Sequence, residues 1–233
     1  MTEAITQRDR AELHRLLDQV LDEKPMLHDR LRGDLLLMNG YQSISLAPDG
    51  EPELQRLERV AYHEAGHAVA GVVLKVAIRD VSVEPRDDSD GRVTSRGPGR
   101  ALAEAIDTGY FTLAQRARVE DLIVISFAGR VAEEARWSNY TAVGWDDDYG
   151  KAVDLACKVT QDDEAAGHYC GWLLVRTRRL IAQPWHWAGV EALADELLMH
   201  QRLSGRRARA VIQAAQDRWL QQKRQSHPVF GIE

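Results

Sequence analysis

The sequence predicts a mainly α-helical fold with one small β-hairpin or sheet and a helical N-terminal appendage. Three observations predict it. Apolar residues recur every three or four positions through most of the 233 residues, the spacing of helices with one buried face. Strand-like alternation in the main domain falls at 79–84, where Val81 and Val83 share a side, and an acidic turn over 85–91 leads from there to Arg92-Val93-Thr94-Ser95. Hydrophobic content of 44% and charged content of 28% are those of a globular chain long enough for one sizeable core.

Residues 6–23 read as an amphipathic helix with Leu13, Leu16, Leu17, Val20 and Leu21 on one side and Arg8, Arg15, Asp18 and Asp22 outside it. Pro25 interrupts it, and 26–38 continue as a shorter helix carrying Leu27, Leu31 and Leu35. Asn39-Gly40 is a turn signal, and 41–46 read as a short strand ending at Pro48-Asp49-Gly50. Residues 1–50 are therefore expected to form an appendage whose apolar stripe packs on the main domain or on a second subunit. The main domain is expected over 51–225, followed by a loose tail over 226–233.

The main domain opens with a predicted helix over 54–76. Leu57, Ala61, Ala65, Ala68 and Val72 make one stripe, and Val60, Ala70 and Leu74 cover the neighbouring face. A helix apolar nearly all round should be buried. Gly66 costs about 1 kcal/mol relative to Ala in a helix interior, so bare backbone there is expected to permit close packing or to leave space. The hairpin over 79–84 and 92–95 follows. Gly97-Pro98-Gly99-Arg100 opens a connection, and periodicity assigns no element to 101–112. A long helix is predicted over 113–137, with Leu122, Ile125, Phe127, Ala128 and Val131 as core, then a loop over 138–145. Residues 146–160 read as a helix whose acidic first turn suits the helix dipole. Helices over 163–182 and 186–201 are separated by Pro184, and Ser204 is the expected N-cap of a last helix reaching about 223.

Composition excludes several functions. A net charge of -6 argues against a general nucleic-acid binder, and the basic clusters at 176–179 and 206–209 fall on helices as solvated faces. The two cysteines, Cys157 and Cys170, form no C-x-x-C pair and no disulfide framework, which fits a reduced, cytoplasmic setting. The N-terminus has no apolar signal region, and the strongest apolar run, 68–74, is stopped by Lys75, so no membrane span is expected. The nearest approach to a phosphate loop, from Gly144 to Gly150-Lys151, has one residue too many between the glycines and Ala152 where Ser or Thr should bind magnesium. No ATP binding in this chain is expected.

The chemistry concentrates in Tyr62-His63-Glu64-Ala65-Gly66-His67, an H-E-x-x-H pattern. On a helix, His63 and His67 lie one turn apart on one face, so two imidazoles can hold one metal. Neutral imidazole suits zinc, and two protein ligands leave room for a third and a water. Glu64 is placed to take a proton from that water. The third ligand has several candidates: His168, His186, His200, Glu133, Glu134 and the run Asp146-Asp147-Asp148. Tyr62, Tyr110, Tyr140, Tyr149 and His168 are candidates to stabilise an oxyanion.

Residues 61–69, Ala-Tyr-His-Glu-Ala-Gly-His-Ala-Val, resemble the start of the zinc peptidase domain of FtsH-type ATP-dependent proteases. So do the segments that follow in order. Asp80 to Arg86 is similar to that family's strand after the helix. Ala128-Gly129-Arg130-Val131-Ala132-Glu133-Glu134 is similar to its Gly-Gly-Arg-x-Ala-Glu-Glu segment. Gly144 to Ala152 is similar to its Gly-Ala-Ser-Asn-Asp-x-x-x-Ala segment, and Leu203-Ser204-Gly205 to its Leu-x-Gly turn. The likeness covers roughly 57–215. It implies a helical zincin-like peptidase fold with one zinc ion per chain, His63, His67 and Asp148 as ligands and Glu64 as catalytic base. It implies a polypeptide substrate as well. Glu134 is then expected beside the site or in a helix contact with Arg130. Neither the family's ATPase module nor its membrane segments is recognised in these residues, so a separate ATPase partner, a homo-oligomer or already unfolded substrates are the expected alternatives. Two rivals stand beside a zinc endopeptidase: a non-catalytic metal-binding or interaction module, and a metal-dependent hydrolase of a non-peptide amide.

Overall fold

The computed structural model describes residues 53–85, 90–137 and 146–226. The helices expected over 6–23 and 26–38, the strand at 41–46, the loop over 138–145 and the end of the tail lie outside the described residues. The fold is mainly α-helical. Helix α1 (Glu53–Val73) leads to strands β1 (Ile78–Ser82) and β2 (Arg92–Ser95). Helices α2 (Arg100–Thr108), α3 (Leu113–Arg136), α4 (Asp146–Thr160), α5 (Asp163–Ile181) and α6 (Pro184–His200) follow. A short strand β3 (Arg202–Ser204) and helix α7 (Gly205–Ser226) end the described chain.

Helix α1 is the centre of the fold, as its apolar sequence predicts. Ala61, Ala65, Ala68, Val69 and Val72 are buried against Val190, Leu193 and Leu197 of α6 and Ile212 of α7. On another side, α1 packs along α3. Gly66 permits that packing: a Cβ there would lie 2.3 Å from the Ala128 carbonyl oxygen and 2.7 Å from Ala132 Cβ. The helix ends three residues before the expected boundary because Lys75 turns left-handed, with φ 59°. Val76 N–H then donates to Gly71 O at 2.8 Å and Lys75 N–H to Val72 O at 3.2 Å, which satisfies the last carbonyls.

The hairpin is present, and a third strand joins it. The sheet order is β2-β1-β3, all antiparallel, with Val81 opposite Val93 and Leu203. The sequence assigns 203–204 only to the entry of the last helix. Both roles hold, because Ser204 Oγ also accepts from Arg207 N–H at 3.3 Å in the first turn of α7. Helix α2 is the other element without a sequence assignment. It is nine residues long with Ala105 as its buried residue, and Gly109 closes it at φ 73°. Pro184 occupies the first turn of α6, where its missing N–H costs nothing. Thr112 and Gln115 cap α3 reciprocally, and Asp162 caps α5. Among the described residues, no helix is long and apolar enough to cross a membrane.

Candidate metal centre

The centre is built where α1, α3 and α4 meet. His63 and His67 stand one turn apart on α1, and Asp148 enters from the first turn of α4. His67 Nε2 lies 2.9 Å from His63 Nε2 and 2.9 Å from Asp148 Oδ2, and Asp148 Oδ2 lies 3.3 Å from His63 Nε2. These three residues form a group whose side-chain ligand atoms could hold one cation. The far nitrogen of each ring is already committed. His67 Nδ1–H donates to the Ile125 carbonyl oxygen at 2.6 Å, and His63 Nδ1 makes a short contact with Glu133 Oε1. A carbonyl only accepts, so His67 carries its hydrogen on Nδ1 and turns a lone pair inward when neutral. Partners of this kind fix ring orientation in metal-binding histidines.

The donor set fits zinc. Two ring nitrogens and a carboxylate oxygen converge, and a tetrahedral site with bonds of about 2.0–2.1 Å has ligand–ligand edges near 3.3 Å. A cation there would take the place of the protons through which the two rings otherwise contact Asp148 Oδ2. The floor is bare backbone: a Cβ on Gly129 of α3 would lie 2.5 Å from His67 Nε2 and 2.6 Å from His63 Nε2. The other oxygen of Asp148 is held by Lys151 Nζ at 3.1 Å, one turn along α4.

Glu64 lies beside this group and is 5% exposed, with Oε2 lacking a hydrogen-bond partner. Burial pushes its carboxyl above the ordinary range, against the opposing pull of His63 and His67. Burial works to raise the Asp148 carboxyl too, but the charge of His67 and hydrogen bonds from both histidines outweigh it and hold the group well below its usual value. For His63 burial favours the neutral ring. Hydrogen bonds to Asp148 and Glu133, with the charges of Glu133 and Glu64, overcome that and push it up to about 10. Gly91, just before β2, abuts Glu64, and a Cβ there would lie 2.9 Å from Glu64 Oε1. The start of β2 is thereby placed beside the carboxylate.

The remaining sequence candidates separate. Asp147 is exposed on α4, and His168 is exposed on α5. His186 Nδ1 is engaged by the Leu180 carbonyl at 2.7 Å, and His200 is an exposed neighbour of Glu196. Glu134 pairs with Arg130 at 2.5 Å, the one-turn contact expected for it, and with Arg178 at 3.3 Å. Glu133 is the residue whose role the sequence does not resolve: it is 1% exposed and touches His63 from behind. Tyr62 packs against Trp137 and Trp187, Tyr149 packs on Phe127, and Tyr110 is exposed. Tyr140 lies outside the described residues.

Residues 53–162 match the profile of peptidase family M41. Over these residues the chain is similar to M41 peptidases. Two FtsH proteins are similar to part of this chain. One is an ATP-dependent zinc metalloprotease FtsH of Acholeplasma laidlawii (strain PG-8A), 38% identical over 101 residues, which are 42% of this chain and 14% of that protein. The other is a chloroplastic ATP-dependent zinc metalloprotease FTSH of Medicago sativa, 29% identical over 109 residues, which are 46% of this chain and 14% of that protein. The chain thus spans about one-seventh of the length of these curated relatives. The M41 match includes α1, the hairpin, α3 and the whole of α4, and so all four residues of the candidate centre.

Proposed function

We propose that this chain is a zinc-dependent endopeptidase. The observation that supports it most is the convergence of His63, His67 and Asp148 beside a buried Glu64 with an unpartnered oxygen. On this reading His63, His67 and Asp148 hold one zinc ion per chain. Zinc bound there supplies Lewis acidity toward a peptide carbonyl and makes water acidic enough to attack near neutral pH. Glu64 receives the proton of the attacking water and passes it to the leaving amine nitrogen. Glu133 and the Ile125 carbonyl keep both imidazoles aimed. The substrate is an extended polypeptide added to the free edge of β2, which starts beside Glu64 and whose outer side pairs with no strand among the described residues. Both FtsH relatives are named ATP-dependent. Energy-dependent unfolding would reach this site through a separate ATPase partner or an oligomer, and unfolded proteins would be cut without it.

The test uses an unfolded protein such as casein, with wild type and Glu64→Gln. Wild type loaded with zinc is expected to cut it. Glu64→Gln is expected to keep its zinc by elemental analysis and to lose activity by a factor of about 100 or more. Equal cleavage by the two proteins would overturn the assignment of Glu64. Intact casein with zinc-loaded wild type would favour a non-catalytic module or a hydrolase of another amide. Asp148→Ala is expected to lose zinc.

A further inference from the structure

We infer that the β2 edge selects acidic polypeptide segments. This rests on the peptidase reading for its use, but the selection is a binding property of this chain and can be measured without turnover.

The argument begins with the alternation of β2. Val93 packs toward the core with Val81 and Leu203, so Arg92 and Thr94 lie on the opposite face of the sheet. That face carries Asp80 and Arg202, which pair with each other at 3.4 Å. Arg92 has no ion-pair or hydrogen-bond partner for its guanidinium among the described residues, nor has Arg96, exposed just beyond the end of the strand. Asp90, the last of three aspartates before the strand, pairs with Arg56 at 3.4 Å.

The far end of the edge opens into a cavity of about 250 Å³. Lys75, Arg96 and Arg118 line it, together with Gly97-Pro98-Gly99 and Leu102. Arg118 is taken up by Asp121 at 3.1 Å and by the Leu74 carbonyl. Lys75 makes no ion pair among the described residues, so Lys75 and Arg96 bring two uncompensated cations to one cavity. The left-handed turn that ends α1 places Lys75 there. An edge strand thus runs from Glu64 at one end to a cationic cavity at the other, with Arg92 between.

The chain as a whole carries a charge of -6, so this stripe opposes the general field of the molecule. Main-chain hydrogen bonds to an edge strand are indifferent to sequence, and the side chains along it supply discrimination. Carboxylates at alternate positions of a bound segment, two residues or about 7 Å apart, match the spacing of successive same-face positions on β2. A peptide with Asp or Glu at those positions meets Arg92 at one position and, past Thr94, Arg96 and Lys75 two same-face positions on, and one with Lys or Arg meets repulsion there.

The experiment measures binding of two fluorescent peptides of equal length to full-length, zinc-loaded Glu64→Gln by polarisation. One peptide carries Glu and the other Lys at alternate positions. The acidic peptide is expected to bind about tenfold tighter at low salt, in line with a few exposed ion pairs. The difference should shrink in about 0.5 M salt, where the screening length falls to a few ångströms. Reversing Arg92, Arg96 and Lys75 together to Glu should invert the preference, and Gln at the same positions should flatten it. Equal binding, a basic preference in the parent protein, binding of neither peptide, or a preference untouched by the reversal would overturn the inference. Casein cleavage reports separately on the peptidase reading: intact casein with a clear acidic preference leaves the edge as a binding surface, and cleavage without preference leaves the peptidase unselective.

Discussion

At Glu133 one carboxylate oxygen touches His63 Nδ1, and the other lies 3.8 Å from Arg59 with no hydrogen bond. A buried charge this poorly satisfied is costly unless it serves its neighbour, and the neighbour is an imidazole whose other nitrogen faces Asp148. Glu133→Gln keeps the shape and removes the charge. It is expected to weaken zinc binding about 10- to 100-fold while circular dichroism stays that of the parent. Chelator competition measures the affinity, and an unchanged value would leave Glu133 as packing only. This residue also marks the limit of sequence reading at its scale. Glu133 and Glu134 are adjacent and chemically alike, and about 100° of helix rotation separates them. One rotation meets His63, and the other meets Arg130 and Arg178. H-E-x-x-H was legible because both histidines lie on one helix and need no tertiary information. Asp148 was named from the family resemblance, since composition could not choose among three consecutive aspartates.

Among the elements, β3 shows why short pieces escape a sequence reading. Three residues cannot display a period, and the strand exists because β1 has an edge to fill. Its closeness depends on Gly205, where a Cβ would lie 1.9 Å from the Ile78 carbonyl oxygen. That oxygen belongs to backbone and cannot swing aside, so Gly205→Ala must separate α7 from β1. The expected loss is about 1–3 kcal/mol, the usual range for overpacking, read as a lower urea midpoint with an unchanged slope. A midpoint equal to wild type would show that the sheet yields freely. Helix α2 was missed for a related reason: with Ala105 as its buried residue, it offers little apolar pattern to read. The long helices were legible because α1, α3, α5 and α6 each bury residues over several turns.

For the molecule as a whole, the two cysteines are free, as their spacing implies, and Cys170 is buried between α5 and α4 with its Sγ 3.9 Å from the Ala152 carbonyl. Burial, with a smaller contribution from Cys157, pushes its thiol up to about 12 from 9.0. The folded state therefore holds this proton more tightly than the unfolded chain. The stabilisation is fully present below pH about 9 and is lost as pH rises toward about 12, at up to about 1.4 kcal/mol for each pH unit in that window. Cys170→Ala is expected to show a flatter fall in urea midpoint above pH 9 than wild type. Parallel curves would rule out the thiol as the source. The core that protects Cys170 was legible as helical stripes, but their docking was not: periodicity gives the buried face of a helix and leaves open which neighbour it meets.

His63 and Asp148 are 85 positions apart, yet they meet across 3.3 Å. A chain made from its N-terminus has both histidines long before Asp148, and the centre must wait until α3 and α4 have closed over α1. For an endopeptidase of the kind proposed, that order is a timing device. The chain has no complete blade while its own segments are still extended and open to cutting, and it gains one only when most of them have been folded out of reach.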